Sequence, residues 1–306
     1  MQRRHFNAGL ALVLGLAAAR ATGQKMLGDA ASGPDGDGAW AAIESAVGGR
    51  LGVAMLCTGS GKLAGHRLDE RFPMCSTFKW LLAACVLRRV ADGQERLDRR
   101  LVYAGRKLPE WSPVSGKHAD ANGLTIGELC QAAIALSDNG AANLLLETVG
   151  GPQAVTAQAR AFGDGQTRLD RHEPELNVVP PGDARDTTTP RAMAGALRTG
   201  LLGDGLPPAQ RAQLVAWMSG TQTGLKRLRA GVPAGWRVAD KTGTWDKSTL
   251  NDVAVFWPPD RPPVVVAAYL TDCPPRPGID REHALADVGR EVARRVQAAS
   301  RPGKAS

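Results

Sequence analysis

Strand-like segments lie near both ends of this chain, and helical patterns fill the region between them. Toward the C-terminus, the turn at 258–262 (Pro-Pro-Asp-Arg-Pro) is too short for the crossover that parallel strands need, so the strands it joins are antiparallel. Near the N-terminus, the turn at 59–62 (Gly-Ser-Gly-Lys) predicts a β-hairpin. The expected strands are Leu51 to Cys57, Leu63 to Arg67, Trp236 to Lys241, Val253 to Trp257 and Val264 to Leu270. We therefore expect one antiparallel sheet built from both chain ends.

Helix-start signals mark the middle of the chain, including a capping box formed by Thr125 and Glu128. The expected helices are Ala39 to Val47, Ser76 to Ala91, Thr125 to Leu136, Ala141 to Val149, Pro152 to Phe162, Pro190 to Leu202, Pro207 to Met218 and Glu282 to Ala298. This order predicts an α/β (α+β) fold, with an α/β lobe at 39–71 and 220–306 and an inserted all-helical lobe at 72–219. Between Gly163 and Thr189 no period is visible, and a loop of that length is usually functional.

The first residues predict export rather than a transmembrane anchor. Arg3 and Arg4 precede an apolar stretch from Ala8 to Ala19, which is too short to span a bilayer. We expect a signal peptide at 1–21, then a flexible leader at 22–38, and a mature periplasmic protein with no membrane segment. The Arg3-Arg4 pair with Phe6 resembles a twin-arginine signal; an ordinary secretory signal is the alternative.

Composition argues against nucleic-acid, metal and cofactor binding. The formal charge is +8, but loss of Arg3, Arg4 and Arg20 with the signal leaves 35 basic against 30 acidic residues, or +5. The remaining cations are scattered and aromatic residues make up only 5%, so no nucleic-acid partner is expected. Neither the five cysteines nor the histidines that follow the signal have the spacing of metal ligands. We expect no metal and no cofactor.

The most chemically suggestive segment is Cys75-Ser76-Thr77-Phe78-Lys79. In a helix, Ser76 and Lys79 lie one turn apart on one face. A serine hydroxyl is a weak nucleophile unless a neighbouring base or cation activates it, and Lys79 could serve in either way. An exposed Ser and Lys on an ordinary helix is the alternative, so the assignment depends on motifs further along the chain.

Three further motifs follow in order: Ser137-Asp138-Asn139, Glu173-Pro174-Glu175-Leu176-Asn177 and Lys241-Thr242-Gly243. Together with the first, they resemble the S-x-x-K, S-D-N, E-x-x-L-N and K-T-G boxes of the class A serine β-lactamases. The resemblance covers the chain from about Ala39 to the last helix, and is greatest to members with a cysteine just before the nucleophile, here Cys75. It implies a serine β-lactamase/penicillin-binding-like fold and a monomer whose partner is a small-molecule β-lactam.

By this resemblance, Ser76 is the nucleophile that opens the lactam ring. Either Lys79 or Glu173 acting through a water takes the serine proton, and Glu173 then aims a water, held by Asn177, at the acyl carbon. Ser137 would pass a proton to the departing nitrogen. The resemblance also implies that the Glu173-Pro174 bond is cis.

The resemblance assigns the remaining residues to substrate binding. Lys241, Thr242, Gly243 and Thr244 would form the carboxylate site, with Arg227 behind it; an exposed helix-end cation is the alternative for Arg227. The backbone N–H groups of Ser76 and Thr244 would form the oxyanion hole. Asn139 would bind the substrate side-chain amide. Trp111 would form an apolar wall, for which a structural role is the alternative.

Trp245 departs from the family pattern. Some carbapenem-hydrolysing relatives bridge the cysteine before the nucleophile to a cysteine directly after K-T-G-T, and Trp245 occupies that place. The bridge cannot form here. We expect penicillins and early cephalosporins as substrates, whose hydrolysis confers β-lactam resistance, and leave carbapenems open because Trp245 is bulky.

Two rival functions share part of this pattern. Penicillin-binding peptidases have the Ser/Lys, second Ser and Lys-Thr-Gly boxes, but lack the base that releases a stable acyl-enzyme; Glu173 and Asn177 therefore favour a lactamase. A β-lactam sensor would need a membrane span, which the sequence after the signal does not provide.

Overall fold

The computed structural model describes residues 38–275 and 280–299. The predicted export signal lies outside the described residues, as does the predicted leader except Gly38, where the first helix begins. Among the described residues, no helix combines the length and apolar character that crossing a bilayer requires.

Nine strands form one large sheet and two short pairs in the described part of the chain. They are β1 Arg50–Cys57, β2 Leu63–His66, β3 Phe72–Pro73, β4 Arg100–Leu101, β5 Leu124–Thr125, β6 Thr187–Thr188, β7 Arg237–Trp245, β8 Thr249–Trp257 and β9 Val264–Thr271. The large sheet has the order β2-β1-β9-β8-β7, and every neighbouring pair is antiparallel. The first and last strands along the chain thus meet at its centre, as the sequence predicted.

The central strand β9 is apolar throughout because both of its faces are buried. Val266 and Ala268 pack into the core on one side of the sheet, while Val265 and Ala267 pack into the core on the other. Successive side chains of a strand point to opposite faces, so a continuous apolar run is what a doubly covered strand requires.

Helices cover both faces of the sheet. They are α1 Gly38–Val47, α2 Lys79–Ala91, α3 Ile126–Ala135, α4 Asn139–Val149, α5 Pro152–Ala161, α6 Pro190–Leu197, α7 Pro208–Ser219 and α8 Arg281–Ala298. Residues of α1 and α8 share one core with the sheet, and α2 to α7 contribute to the other. The predicted α/β (α+β) fold with flanking helices is confirmed.

Helix α2 is the buried centre of the second core. Its first nine residues, from Lys79 to Leu87, are all buried. A helix that is enclosed on every side carries no polar stripe, which explains the apolar sequence from Trp80 to Val86. Lys79 is the one charged residue in that stretch, so its burial needs a separate explanation.

Several predicted boundaries are wrong, among them those of two helices and one strand. The helix expected from Ser76 starts at Lys79, and Cys75–Phe78 form a separate 3₁₀ turn. The helix expected from Pro190 to Leu202 ends at Leu197 and continues as a π-helical turn, Arg198–Leu202. The strand expected to end at Lys241 runs on to Trp245 because its backbone continues to pair with β8 as far as Thr249.

Candidate active site

The turn that carries Ser76 is held against strand β7. Cys75 has a positive φ of 45°, which reverses the chain just before Ser76, whose side chain is nearly buried. A Cβ placed on Gly243 would lie 2.7 Å from the Met74 carbonyl oxygen and 3.1 Å from Cys75 Cβ. Glycine at this position therefore lets the Lys241-Thr242-Gly243 segment approach the backbone beside Ser76.

Lys79 is fully buried and surrounded by oxygens. Its Nζ lies 3.0 Å from Glu173 Oε1, and donates to Asn139 Oδ1 at 2.5 Å and to the Ser137 carbonyl at 2.9 Å. Its Nζ is also 3.5 Å from Ser137 Oγ. Burial lowers the pKa of Lys79 from its ordinary value, and the nearby Glu173 carboxylate opposes part of that shift. The lysine thus links three of the four sequence motifs.

Glu173 reaches the nucleophile from the long loop. Ser76 Oγ donates to Glu173 Oε1 at 3.3 Å, and Asn177 Nδ2 donates to Glu173 Oε2 at 2.7 Å. Asn177 Oδ1 is buried and accepts no hydrogen bond from any described residue. The Glu173-Pro174 peptide bond is cis, as expected. The carboxylate therefore contacts Ser76 and Lys79 through one oxygen and Asn177 through the other.

Asn143 on α4 fixes the backbone of Glu173 and was missed by the sequence analysis. Its Nδ2 donates to the Glu173 carbonyl at 2.8 Å, and its Oδ1 accepts from the Glu173 N–H at 2.9 Å. These two bonds tie the loop to the helical region directly behind the carboxylate. Asn143 lies outside every motif, and its partner Glu173 is 30 residues away in the sequence. No local sequence pattern therefore identifies it.

The Ser137-Asp138-Asn139 segment connects α3 to α4 through a constrained turn. Ser137 has a positive φ of 58°. Asp138 is fully buried and caps α4: its Oδ1 accepts from the Ala141 N–H at 2.8 Å and from Ser115 Oγ at 2.6 Å. Its Oδ2 accepts from the N–H groups of Val114 and Ser115. These bonds hold Ser137 and Asn139 on either side of the cap.

Lys241 approaches Ser137 from the sheet side. Its Nζ donates to Ser137 Oγ at 3.1 Å and to the Thr242 carbonyl at 2.9 Å. Burial, and after it the positive charge of Lys79, lowers the pKa of Lys241 well below its ordinary value. Ser137 Oγ thus lies between two buried lysines, which is where a hydroxyl could relay a proton.

Arg227 crosses behind the end of β7. Its guanidinium donates to Thr244 Oγ1 at 2.8 Å and to the carbonyls of Gly243 and Asn251, both at 2.9 Å. Arg227 is 5% exposed. The alternative interpretation of its sequence position, an exposed cation at the end of a helix, is therefore wrong. Thr223, which the sequence analysis missed, bonds Thr242 through their hydroxyls at 2.6 Å.

These groups line a single cleft of about 480 Å³. Its lining comprises Ser76, Trp111, Ser137, Asn139, Glu173, Asn177, Thr223, Arg227, Thr242, Thr244 and Trp245. Lys79, Lys241 and Gly243 are buried behind that lining. All the residues predicted for the site therefore lie in or directly behind one cavity.

Two tryptophans shape the cleft mouth. Trp111 is 58% exposed and its indole N–H donates to the Leu136 carbonyl at 3.1 Å. Trp245 is half-buried at the end of β7. All five cysteines are free thiols, Cys75 among them. Among the described residues, no group of three or more His, Cys, Asp or Glu side chains could hold a metal ion.

The chain is similar to known β-lactamases over most of its length. Residues 39–296 match the family described as the beta-lactamase enzyme family. Beta-lactamase OXY-2 of Klebsiella oxytoca is 46% identical over 250 residues, which cover 82% of this chain and 86% of that protein. Carbapenem-hydrolyzing beta-lactamase KPC, also of Klebsiella oxytoca, is 46% identical over 250 residues, covering 81% and 84%.

Solved structures that resemble this fold are also class A β-lactamases. The class A β-lactamase of the last common ancestor of Gram-negative bacteria is 58% identical, with a TM-score of 0.79 over 85% of this chain and 97% of that one. The chain belongs to the beta-lactamase enzyme family and is a class A serine β-lactamase.

Proposed function

We propose that this β-lactamase opens the lactam amide of penicillins and early cephalosporins through an acyl-enzyme on Ser76, and thereby confers resistance to them. One observation carries the proposal: Ser76 Oγ lies 3.3 Å from a buried carboxylate oxygen of Glu173, which is itself 3.0 Å from Lys79 Nζ. A hydroxyl, a base and a cation within contact of one another form an activated nucleophile.

In the first half of the reaction, Ser76 Oγ attacks the lactam carbonyl and the C–N bond breaks. The direct Ser76–Glu173 hydrogen bond supports Glu173 as the acceptor of the serine proton, with Lys79 stabilising the charge that develops. The backbone N–H groups of Ser76 and Thr244 are the proposed oxyanion donors. Each donor of this kind contributes roughly a hundredfold in rate.

The departing nitrogen needs a proton, and Ser137 is the proposed donor. Its hydroxyl is 3.1 Å from Lys241 Nζ and 3.5 Å from Lys79 Nζ. The lowered pKa values of both lysines reduce the cost of moving a proton along this path. Ser137 would regain from a lysine the proton that it gives to the lactam nitrogen.

In the second half, water releases the acyl group. Glu173 is the proposed base, and the buried Asn177 Oδ1, which has no partner among the described residues, is the proposed acceptor for that water. Its amide nitrogen already contacts Glu173 Oε2 at 2.7 Å, so a water on Asn177 would lie beside the base.

The strand side of the cleft is the proposed site for the substrate carboxylate. Lys241, Thr242 and Thr244 offer a cation and two hydroxyls, and Arg227 supports Thr244 from behind. Asn139 is the proposed partner of the substrate side-chain amide, and Trp111 the apolar wall. Carbapenems are not part of the proposal, because the bulky Trp245 lines the same cleft.

Hydrolysis of a chromogenic cephalosporin by the purified protein tests these assignments. We expect Ser76→Ala to give no turnover and no covalent adduct. Glu173→Ala should slow both halves of the reaction, and the second half more, because Lys79 remains as the alternative acceptor of the serine proton in the first. A long-lived acyl-enzyme should therefore accumulate, and mass spectrometry detects it. Turnover by Glu173→Ala at the parent rate would contradict the deacylation role, whereas turnover by Ser76→Ala would contradict the whole mechanism.

The cellular setting is also a proposal. The N-terminal sequence supports cleavage after about residue 21 and export to the periplasm, and we propose a monomer with lobes at 39–71 with 220–306 and at 72–219. N-terminal sequencing of the periplasmic protein and light scattering of the mature form test these points. An intact N-terminus would contradict the signal, and a dimer mass would contradict the monomer.

A further inference from the structure

Two aspartates that the mechanism does not use lie buried behind the carboxylate end of the cleft. Asp240 on β7 and Asp252 on β8 are both 0% exposed. In the strand register, Asp252 pairs with Thr242 and Asp240 pairs with Ala254. The two acids are therefore diagonal neighbours on the same face of adjacent strands, and the charge of Asp240 acts on Asp252.

Each of these carboxyls has one oxygen with no partner among the described residues. Asp240 Oδ1 accepts from Arg229 Nε at 3.0 Å, and Asp252 Oδ2 accepts from the Leu228 N–H at 3.2 Å. Asp240 Oδ2 and Asp252 Oδ1 are buried and accept no hydrogen bond from a described residue. Unpaired buried carboxylate oxygens are costly, whereas one proton between two carboxyls would satisfy one oxygen of each.

The charges and the burial around the two carboxyls favour a state in which the pair holds one proton. Arg227, Arg229 and Lys241 attract negative charge to this position, but burial raises the pKa of Asp240 above its ordinary value. Burial and then the Asp240 carboxylate raise the pKa of Asp252 well above its ordinary value. Two carboxyls at neighbouring buried positions on one face of a sheet do not both ionise readily, and such interacting groups titrate as a unit.

Three consecutive residues connect the pair to the proposed substrate site. The Arg227 guanidinium contacts Thr244, the Leu228 N–H contacts Asp252, and the Arg229 guanidinium contacts Asp240. On its other side, Arg227 faces Glu282, with Nε 3.4 Å from Oε1. The acids thus anchor the segment that carries Arg227.

We propose that Asp240 and Asp252 share one proton as a carboxylic acid–carboxylate pair, and that this pair, through residues 227–229, positions Arg227 behind Thr244. The positioning part rests on the proposed carboxylate site, while the shared proton does not. Both acids are positioning residues, since neither lines the cleft.

Infrared spectroscopy of the substrate-free enzyme at neutral pH tests the shared proton directly. We expect one protonated-carboxyl C=O band, which shifts in D₂O and is lost in both Asp240→Asn and Asp252→Asn, because an amide N–H replaces the acid O–H. Asp186→Asn is the matched control: Asp186 is also 0% exposed, but both its oxygens have donors, so the band should remain. Absence of the band in the parent, or its survival in both pair variants, would overturn the proposal.

Stability against pH gives a second readout. Above the ordinary aspartate pKa of 3.8, the unfolded chain has released a proton that the folded pair retains. Stability of the parent therefore falls as pH rises toward the raised pKa of the pair. Relative to Asp252→Asn, the parent's unfolding equilibrium constant should grow about tenfold per pH unit across that window. A constant ratio would contradict proton retention.

Kinetics test the positioning role separately. Asp252→Leu leaves the Leu228 N–H without an acceptor and Asp240 Oδ2 without its proposed proton partner, while Arg229 still contacts Asp240 Oδ1. We therefore expect KM for a penicillin to rise about tenfold with little change in kcat. Asp252→Asn should restore the parent KM, because the amide oxygen still accepts from Leu228. An unchanged KM in a folded Asp252→Leu enzyme would overturn the positioning role while leaving the β-lactamase mechanism intact.

Discussion

The floor and the rim of the cleft differ in how far water reaches them. The floor consists of Ser76, Lys79, Ser137, Glu173 and Lys241, and the rim consists of Trp111, Thr244 and Trp245. The side chains of Lys79, Glu173 and Lys241 are enclosed, whereas Trp111 is 58% exposed and Thr244 is exposed. Charges interact more strongly where water is excluded.

Floor residues also make more polar contacts than rim residues. The Lys79 ammonium contacts two side chains and one backbone carbonyl, which come from two other segments of the chain. The Trp111 side chain makes one hydrogen bond. A floor group is thus fixed by several partners, so its loss disturbs the others. Rim groups should tolerate change, and the predictions below test this difference.

The largest expected effect is at Lys79 on the floor. Lys79→Ala removes the cation between Glu173, Asn139 and Ser137, and leaves the buried Glu173 carboxylate without its charge partner. We expect kcat/KM for a chromogenic cephalosporin to fall about 10³-fold, the scale of a lost proton-transfer group. Stopped-flow measurement of acylation would locate the loss in the first chemical step.

Lys62→Ala is the control for this change, because Lys62 is exposed on the hairpin turn and neither belongs to a motif nor lines the cleft. It should keep the parent kcat/KM. A Lys79→Ala enzyme within a few-fold of the parent would show that burial of a cation on the floor does not govern the chemistry.

Asp138, the neighbour of the floor residue Ser137, should show that the segment supporting the floor is also a stability element. Asp138→Ala leaves four donors, from Val114, Ser115 and Ala141, without an acceptor. We expect the free energy of unfolding to fall by about 3 kcal/mol, from a lost helix cap and unpaired buried groups. Denaturant titration measures this change.

The matched control for Asp138 is the exposed Asp120, which accepts from two backbone N–H groups of its own turn. Asp120→Ala should cost less than about 1 kcal/mol. Equal losses for the two variants would mean that burial adds nothing to the cap at the S-D-N segment.

The sequence predicted the floor because its residues lie in four short motifs. Ser76, Lys79, Glu173 and Lys241 were identified by the resemblance of these motifs to the class A boxes, and the sheet from both chain ends by apolar runs such as Val264 to Leu270. Asn143 and Thr223 were not identified, since each acts through a partner distant in sequence. Only the fold brings such partners together.

The boundaries that failed are those where tertiary contacts override local pattern. Strand β8 begins at Thr249, ahead of the predicted Val253, although Asn251 and Asp252 are polar. Asn251 donates to the carbonyls of Pro73 and Met74, and Asp252 accepts from Leu228. Buried polar side chains of a strand are thus satisfied by segments that no alternation of sequence reveals.

A pH experiment separates Lys241 from the rim residues of the same strand. Because burial and Lys79 lower the pKa of Lys241, its ammonium loses its proton at a lower pH than a free lysine. KM for a carboxylate-bearing substrate should therefore rise as pH increases through that lowered pKa. In Lys241→Arg the cation persists at high pH, so this rise should disappear, with kcat lower by about tenfold from the changed geometry.

The same experiment on Thr244→Ser is the control, since it keeps a hydroxyl at an exposed rim position. Its KM should follow the pH dependence of the parent. If Lys241→Arg retained the alkaline rise in KM, the titrating group would lie elsewhere and the assignment of the carboxylate cation would be wrong.

The smallest expected effect is at Trp245 on the rim. Its half-buried indole lines the cleft at the end of β7, where the strand pairs with Thr249. Trp245→Gly opens space along the strand without touching the floor, so kcat/KM for a cephalosporin with a bulky acyl group should rise about threefold relative to one with a small group. Glycine at a strand end should lower the free energy of unfolding by about 1 kcal/mol.

Trp245→Phe preserves much of the bulk and should keep the parent ratio of the two substrates. The comparison between floor and rim requires that a change at Trp245 alters substrate preference without abolishing hydrolysis. If Trp245→Gly abolished hydrolysis of both substrates, the indole would have to support the floor itself, for instance by fixing Thr244 and through it Arg227. The distinction between a rigid floor and a tolerant rim would then fail at the last residue of β7.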